Sequence, residues 1–134
     1  MNKLILPVTD TTPQITLDHL QNKFEIIGES CPEDAKQFYS ALFLWIEEYK
    51  NYLYFINEHS GNKKNLVFTF HLSYVSSSAL KYTYNFLQKI EELKPMCESI
   101  TIKWLYDKDD TDMEENGSEF STMVDIPFAI EQAD

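Results

Sequence analysis

The apolar positions of this chain change period several times, and each change marks an element boundary. Gln14–Asp18 and Lys23–Gly28 alternate apolar and polar residues on either side of a short polar stretch, which predicts a hairpin. From Phe38 the period lengthens, and Phe38, Leu42, Trp45, Tyr49, Leu53 and Ile56 fall on one face of a helix. Tyr39, Phe43, Ile46, Tyr52 and Phe55 widen that stripe beyond the usual core-facing arc. Ser30 is the expected cap of this helix, with Pro32 in its first turn and Glu33 and Asp34 complementing the dipole. The helix is expected to end near Asn57, before a loop at Ser60-Gly61-Asn62, and residues 1–12 read as an extended N-terminal arm.

Leu66–Tyr74 is nearly continuous in apolar and β-branched residues, the pattern of a strand covered on both faces. It runs directly into Ser76, Ser77 and Ser78. A second helix then follows, carried by Ala79, Leu80, Thr83, Phe86, Leu87, Ile90 and Leu93 up to Pro95. Ser99–Asp107 is a further strand with Ile100, Ile102, Trp104 and Tyr106 on one face. The acidic stretch 107–119, read as a solvated face and helix start, leads to a final strand at Pro127–Ile130. The order is ββαβαβ(α)β: an α/β domain with helices packed on a small mixed sheet.

Composition sharpens this picture. At 134 residues the chain makes one domain, 1–134, large enough to bury a core without staples. Its 22 acids are opposed by 11 lysines and no arginine, so the net charge is −11. That balance argues against nucleic acid and against an anionic membrane surface, both of which need clustered cations, and favours a basic or neutral protein partner. Cys31 and Cys97 are too few for a disulfide framework and suit a reduced, cytoplasmic protein. Leu4-Ile5-Leu6-Pro7-Val8 is too short and too broken for a signal peptide, and the dense apolar region Phe38–Ile56 carries Glu47, Glu48 and Lys50, unlike a membrane span.

The chemistry concentrates at Ser76–Ser78. A strand-to-helix turn puts these hydroxyls at a helix N-terminus, where unpaired N–H groups and the positive dipole end tolerate an added phosphate. The plainer reading is that one of the three simply caps the helix. Elsewhere no active site assembles. Asp107, Asp109, Asp112, Glu114, Glu115 and Glu119 lack the glycine that a calcium loop requires at its sixth position, so no metal is expected. His19, His59 and His71 lie far apart, and His71, in mid-strand, reads as a packed, hydrogen-bonded core residue. Cys31, placed at a helix N-terminus, could have a lowered pKa but has no basic neighbour. The three glycines are isolated and form no phosphate loop, so no cofactor is expected either. With four tyrosines and Phe55 spread around it, the long helix is expected to expose some aromatics, as a homodimer or partner surface does.

Several short motifs in register carry a resemblance across Thr12–Ile130. They are Gly28-Glu29-Ser30 with Pro32-Glu33; Tyr74, the serine turn and Lys81; Trp104 and Tyr106; the acidic run Asp109–Gly117; and Pro127-Phe128. Together they resemble the SiaC-type bacterial regulatory phosphoproteins. The resemblance implies a fold like the anti-anti-sigma (STAS-like) domains and a phosphorylated hydroxyl on the turn after a central strand. It implies three partners: a serine/threonine kinase, a PP2C-type phosphatase, and a diguanylate cyclase activated by the unphosphorylated form. The family turn reads Tyr, an apolar residue, Asn, Thr, Ser, Ser, a variable residue, Lys; here those places hold Tyr74, Val75, Ser76, Ser77, Ser78, Ala79, Leu80 and Lys81. The phosphorylated position thus falls on Ser77, with Tyr74, Ser76, Ser78 and Lys81 as partner-binding neighbours. Serine replaces threonine at the site, Ser76 replaces asparagine, and Cys31 stands where the family usually has tyrosine. The expected function is a non-enzymatic phospho-switch. The alternative is a structural or ligand-binding module of the same fold without phosphorylation, and a small enzyme using Cys31 or His71 is a more distant one.

Overall fold

A computed structural model describes Met1–Asp134. Six strands form one sheet in sequential order: β1 (Leu4–Leu6), β2 (Gln14–Asp18), β3 (Lys23–Ser30), β4 (Lys64–Val75), β5 (Cys97–Tyr106) and β6 (Phe128–Gln132). The first three are antiparallel neighbours, and β3 through β6 run parallel. Each parallel crossover carries a helix: α1 (Ala35–Ser60), α2 (Ser77–Glu91) with a short 3₁₀ turn at Lys94–Met96, and α3 (Thr111–Met123). Because the parallel strands step in one direction across the sheet, crossovers of the usual right hand lay all three helices on the same face. Leu66, Phe68, Phe70 and Leu72 of β4 bury against that helical layer in a single core with Leu42, Tyr49, Phe86 and Phe120. No helix is long and apolar enough to cross a membrane.

The other face of the sheet is open, which corrects the reading of β4 as covered on both faces. Its burial alternates: Val67 is 49% exposed between fully buried Leu66 and Phe68, and Thr69 and His71 are half-buried. The run reads as nearly continuous because Val67 adds an apolar residue on the outward face, where Thr69, Thr101, Lys103 and Leu105 make a mixed surface rather than a second core.

The N-terminal arm is partly a strand. Leu4 pairs with Leu17 and Leu6 with Ile15, and the Trp45 indole donates to the Asn2 carbonyl at 2.9 Å. Three residues before Pro7 are too few for periodicity to register. Past β1 the arm folds over the end of β3, where Gly28 sits at φ +128 in a register shift. A side chain there would press on Pro13 Cα and Val8, both 3.3 Å from the added carbon, so the site needs glycine for backbone and space alike.

Ser30 does not cap α1. Parallel pairing continues through Glu29 with Tyr74 and Ser30 with Val75, so Ser30 is the fully buried last residue of β3. The cap is Asp34, whose carboxylate accepts from the Gln37 amide at 3.1 Å. At its far end α1 runs past Asn57 to Ser60, closed by left-handed Gly61. Of its aromatics Tyr39 and Tyr49 are buried, while Tyr54 (62% exposed) and Phe55 (58%) face solvent with Leu44.

α3 docks on Trp104. The indole is fully buried and donates from Nε1 to the Met113 carbonyl at 2.9 Å. Gly117 lets the helix backbone approach the ring; a methyl there would fall on the indole, 2.7 Å from Nε1. Gly117→Ala is therefore expected to lower stability by up to about 2 kcal/mol, an overpacking cost of about 1–3 kcal/mol outweighing the gain of about 1 kcal/mol in helix propensity. Urea denaturation checks this, and a stabilised variant contradicts the contact.

Candidate functional site

The parallel strands end at a common edge, and three helices begin there. Their caps follow one local rule: a polar residue three positions ahead of an orphan amide accepts from it. Asp34 serves Gln37 in α1, Ser76 serves Ala79 in α2 at 3.2 Å, and Asp110 serves Met113 in α3 at 3.1 Å. Three positive dipole ends thus converge on the edge that carries the serine turn.

Within that turn the three serines are unequal. Ser76 leaves β4 in extended conformation (φ −74, ψ 164), donates its amide to the Ser30 carbonyl at 2.9 Å and caps α2 with its hydroxyl. Ser78 is exposed, its hydroxyl 3.4 Å from that of Ser76. Ser77 is the first residue of α2, exposed, with a hydroxyl that has no partner in the chain. The plain capping role and the free hydroxyl therefore belong to different residues.

Tyr74 and Lys81 flank the turn. Tyr74 is 52% exposed, and Lys81 holds its ammonium 5.9 Å above the Tyr82 ring. An open cleft lies on each side. One, between the first turns of α1 and α2, is lined by Glu33, Asp34, Lys36, Phe38, Ser78 and Tyr82. The other, about 370 Å³, separates the end of β4 from the start of α3 and is lined by Tyr74 with Asp110, Asp112 and Glu115. The serine turn is thus a ridge between carboxylate-bearing walls, with Lys36 in the lining of one cleft and Lys81 on α2.

Beneath the ridge is a buried chain of hydroxyls that the sequence reading missed. Ser30 Oγ lies 2.8 Å from Tyr39 Oη, which lies 3.1 Å from Thr83 Oγ1, and Thr83 donates to the Ala79 carbonyl at 2.8 Å. Burial raises the Tyr39 pKa, so the phenol stays neutral. The available signal was Thr83, a hydroxyl at a core-facing position of the α2 stripe.

The remaining candidates do not join the ridge. Cys31 precedes α1 by four residues, so no helix N-terminus lowers its pKa; desolvation, with the Glu29 carboxylate 3.5 Å away, raises it instead. His71 is not in the core but half-buried on the open sheet face, its Nε2 2.8 Å from Asp107. His19 is the buried histidine, packed edge-on against Tyr52 with its pKa lowered chiefly by desolvation. The acidic stretch divides between the Asp110 cap, the first turn of α3 and left-handed Asp109, and no three of the chain's His, Cys, Asp and Glu side chains converge as metal ligands.

Residues 6–133 match the profile of the SiaC family regulatory phosphoproteins. An uncharacterized protein of Pseudomonas aeruginosa strain UCBPP-PA14 is 25% identical over 134 residues, which span this whole chain and 99% of that protein. SiaC of Pseudomonas aeruginosa superposes with a TM-score of 0.79 at 24% identity, covering 99% of this chain and 100% of that one. A chain in the crystal structure of the diguanylate cyclase SiaD in complex with its activator SiaC, from the same organism, gives a TM-score of 0.80 at 24% identity over 97% of this chain and 99% of that one. The solved structures share the fold described above.

The inequality of the serines has a thermodynamic signature. Ser76→Ala is expected to cost about 1 kcal/mol through loss of the cap, whereas Ser77→Ala should be neutral within about 0.5 kcal/mol. Chemical denaturation of the two variants compares them directly, and equal losses contradict the assignment of the cap.

Proposed function

The chain belongs to the SiaC family of regulatory phosphoproteins, and we propose that it is a non-enzymatic signalling switch whose modified residue is Ser77. The observation that carries this reading is the contrast within the turn: Ser76 is occupied as a cap, while Ser77 offers an exposed, unpartnered hydroxyl at the first position of α2. Ser40 and Thr122, also exposed, already donate to the carbonyls of Gln37 and Glu119.

A phosphate on Ser77 meets two fields. Inward are the free amides and dipole of α2, a gain of about 0.3–1 kcal/mol that leaves the fold intact. Outward, nearly two negative charges join an edge already lined by Glu33, Asp34, Asp110, Asp112 and Glu115. Tyr74, Ser76, Ser78 and Lys81 form the docking surface around that charge. In the unmodified state this surface binds an output protein, and modification removes the contact through repulsion and desolvation. SiaC of Pseudomonas aeruginosa is the activator of a diguanylate cyclase, so a cyclase of that kind is the output we assign here. A serine/threonine kinase adds the phosphate and a PP2C-type phosphatase removes it.

Incubation with its serine/threonine kinase and Mg-ATP should add one phosphate, mapped to Ser77 by fragmentation. Phosphate on Ser40 or Thr122 with Ser76–Ser78 clean would sink the assignment. Ser77→Ala should bind the output cyclase and resist the kinase. Ser77→Asp should weaken binding by roughly tenfold or more in calorimetry, about 1.4 kcal/mol, without lowering the melting temperature. A module without phosphorylation would instead stay unmodified in its host and bind equally well as either variant.

A further inference from the structure

We propose that Tyr39 is a positioning residue for the serine turn: its phenol closes a circuit of hydrogen bonds that holds Ser76 in the capping role and leaves Ser77 as the free hydroxyl. The proposal rests on Ser77 being the switch residue, but its geometry stands independently. Five hydrogen bonds form the circuit. The Ser76 amide donates to the Ser30 carbonyl at 2.9 Å, the Ala79 amide to Ser76 Oγ at 3.2 Å, and Thr83 Oγ1 to the Ala79 carbonyl at 2.8 Å. Tyr39 then bridges back, 3.1 Å from Thr83 Oγ1 and 2.8 Å from Ser30 Oγ.

The direction of the protons follows from chemistry alone. A carbonyl only accepts, so the Thr83 proton is committed to Ala79. At the next contact Tyr39 must therefore donate to Thr83. Its single proton is then spent, so Ser30 must donate to Tyr39. The relay runs one way, from the end of β3 through α1 to the first turn of α2, and each hydroxyl has one partner it cannot replace. Ser30, Tyr39 and Thr83 are 0%, 2% and 1% exposed, so water is no ready substitute. Fixing Ser30 Oγ also fixes the Ser30 carbonyl, which in turn holds the Ser76 amide. Without the phenol, Ser30 and Thr83 each lose a partner and the Ser76 cap loses its anchor, allowing the hydroxyls of Ser76 and Ser78 to compete with Ser77.

Amide hydrogen exchange on the whole protein tests the circuit without any kinase. In Tyr39→Phe the amides of Ser76, Ala79 and Leu80 should exchange roughly tenfold faster relative to those of Phe86–Ile90, the ratio expected from one hydrogen bond lost. Leu53→Ala, at a fully buried position remote from the turn, supplies the control for general destabilisation. Thr83→Val should reproduce the local pattern of Tyr39→Phe, and Thr83→Ser should restore that of the parent. Uniform acceleration along α2 in Tyr39→Phe, matching Leu53→Ala, or no change at the turn, would overturn the proposal. Phosphate mapping with the serine/threonine kinase and Mg-ATP adds the functional arm: Ser77 alone in the parent, with phosphate spreading to Ser76 or Ser78 in Tyr39→Phe. A modified Tyr39→Phe that still carries phosphate only on Ser77 counts against the proposal. A parent left unmodified at all three serines refutes the switch reading itself, while the exchange pattern still decides the circuit.

Discussion

The constraint on which the rest depends is the direction of four adjacent strands. Because β3 to β6 run parallel and in sequence, every crossover returns on the same face and every helix starts at the same edge. The result is three capped N-termini side by side. Each presents amides that no helical carbonyl satisfies, and their dipoles add up at that edge. Carboxylates gather there for that reason: Asp34 and Asp110 as caps, Asp112 and Glu114 in the first turn of α3. An acidic edge and a place where phosphate is tolerated are consequences of the same topology.

Two contacts of different character hold that edge. Trp104 anchors α3 through shape, a buried ring under a glycine, and by burial alone such a side chain contributes about 1.5–3 kcal/mol. The Ser30–Tyr39–Thr83 relay holds α2 through direction. Its net contribution to stability is about 1 kcal/mol per bond, small against the cost of about 1–3 kcal/mol for leaving a buried partner unmade. An all-apolar replacement could therefore match its stability but not its geometry. The relay specifies where the first turn of α2 sits, and Gly117 specifies how close α3 comes. Between them the ridge and its two clefts are set.

Much of this was legible in the sequence, and the failures have physical causes. The long stripe of α1, the α2 stripe and the β5 alternation each span enough residues for a period to be counted, so all three elements and their order came through. β1 did not, because three residues before a proline carry no period. Ser30 read as a helix cap because Ser-Cys-Pro-Glu has the local signature of one; parallel pairing with Val75, a contact 45 positions distant, decided otherwise. β4 read as doubly covered because composition counts apolar residues, whereas exposure depends on which neighbour stands across the sheet. At the site, the turn and its flanking Tyr74 and Lys81 were visible as a string. The relay was not, since its three hydroxyls are scattered over residues 30, 39 and 83 and only the fold unites them.

The division of labour within the serine turn then follows. A cap hydroxyl is held by the amide it serves, so modification of Ser76 would cost the helix a hydrogen bond and its start. One residue further on, the side chain leaves the helix axis and the backbone amides still point toward it. Charge on Ser77 is thus compatible with the helix beneath it and incompatible with an anionic approach above it. In the switch we propose, a phosphate on Ser77 would meet fold and docking surface from opposite sides and act on them with opposite sign, so that nearly two charges would change the surface without melting the domain that carries it.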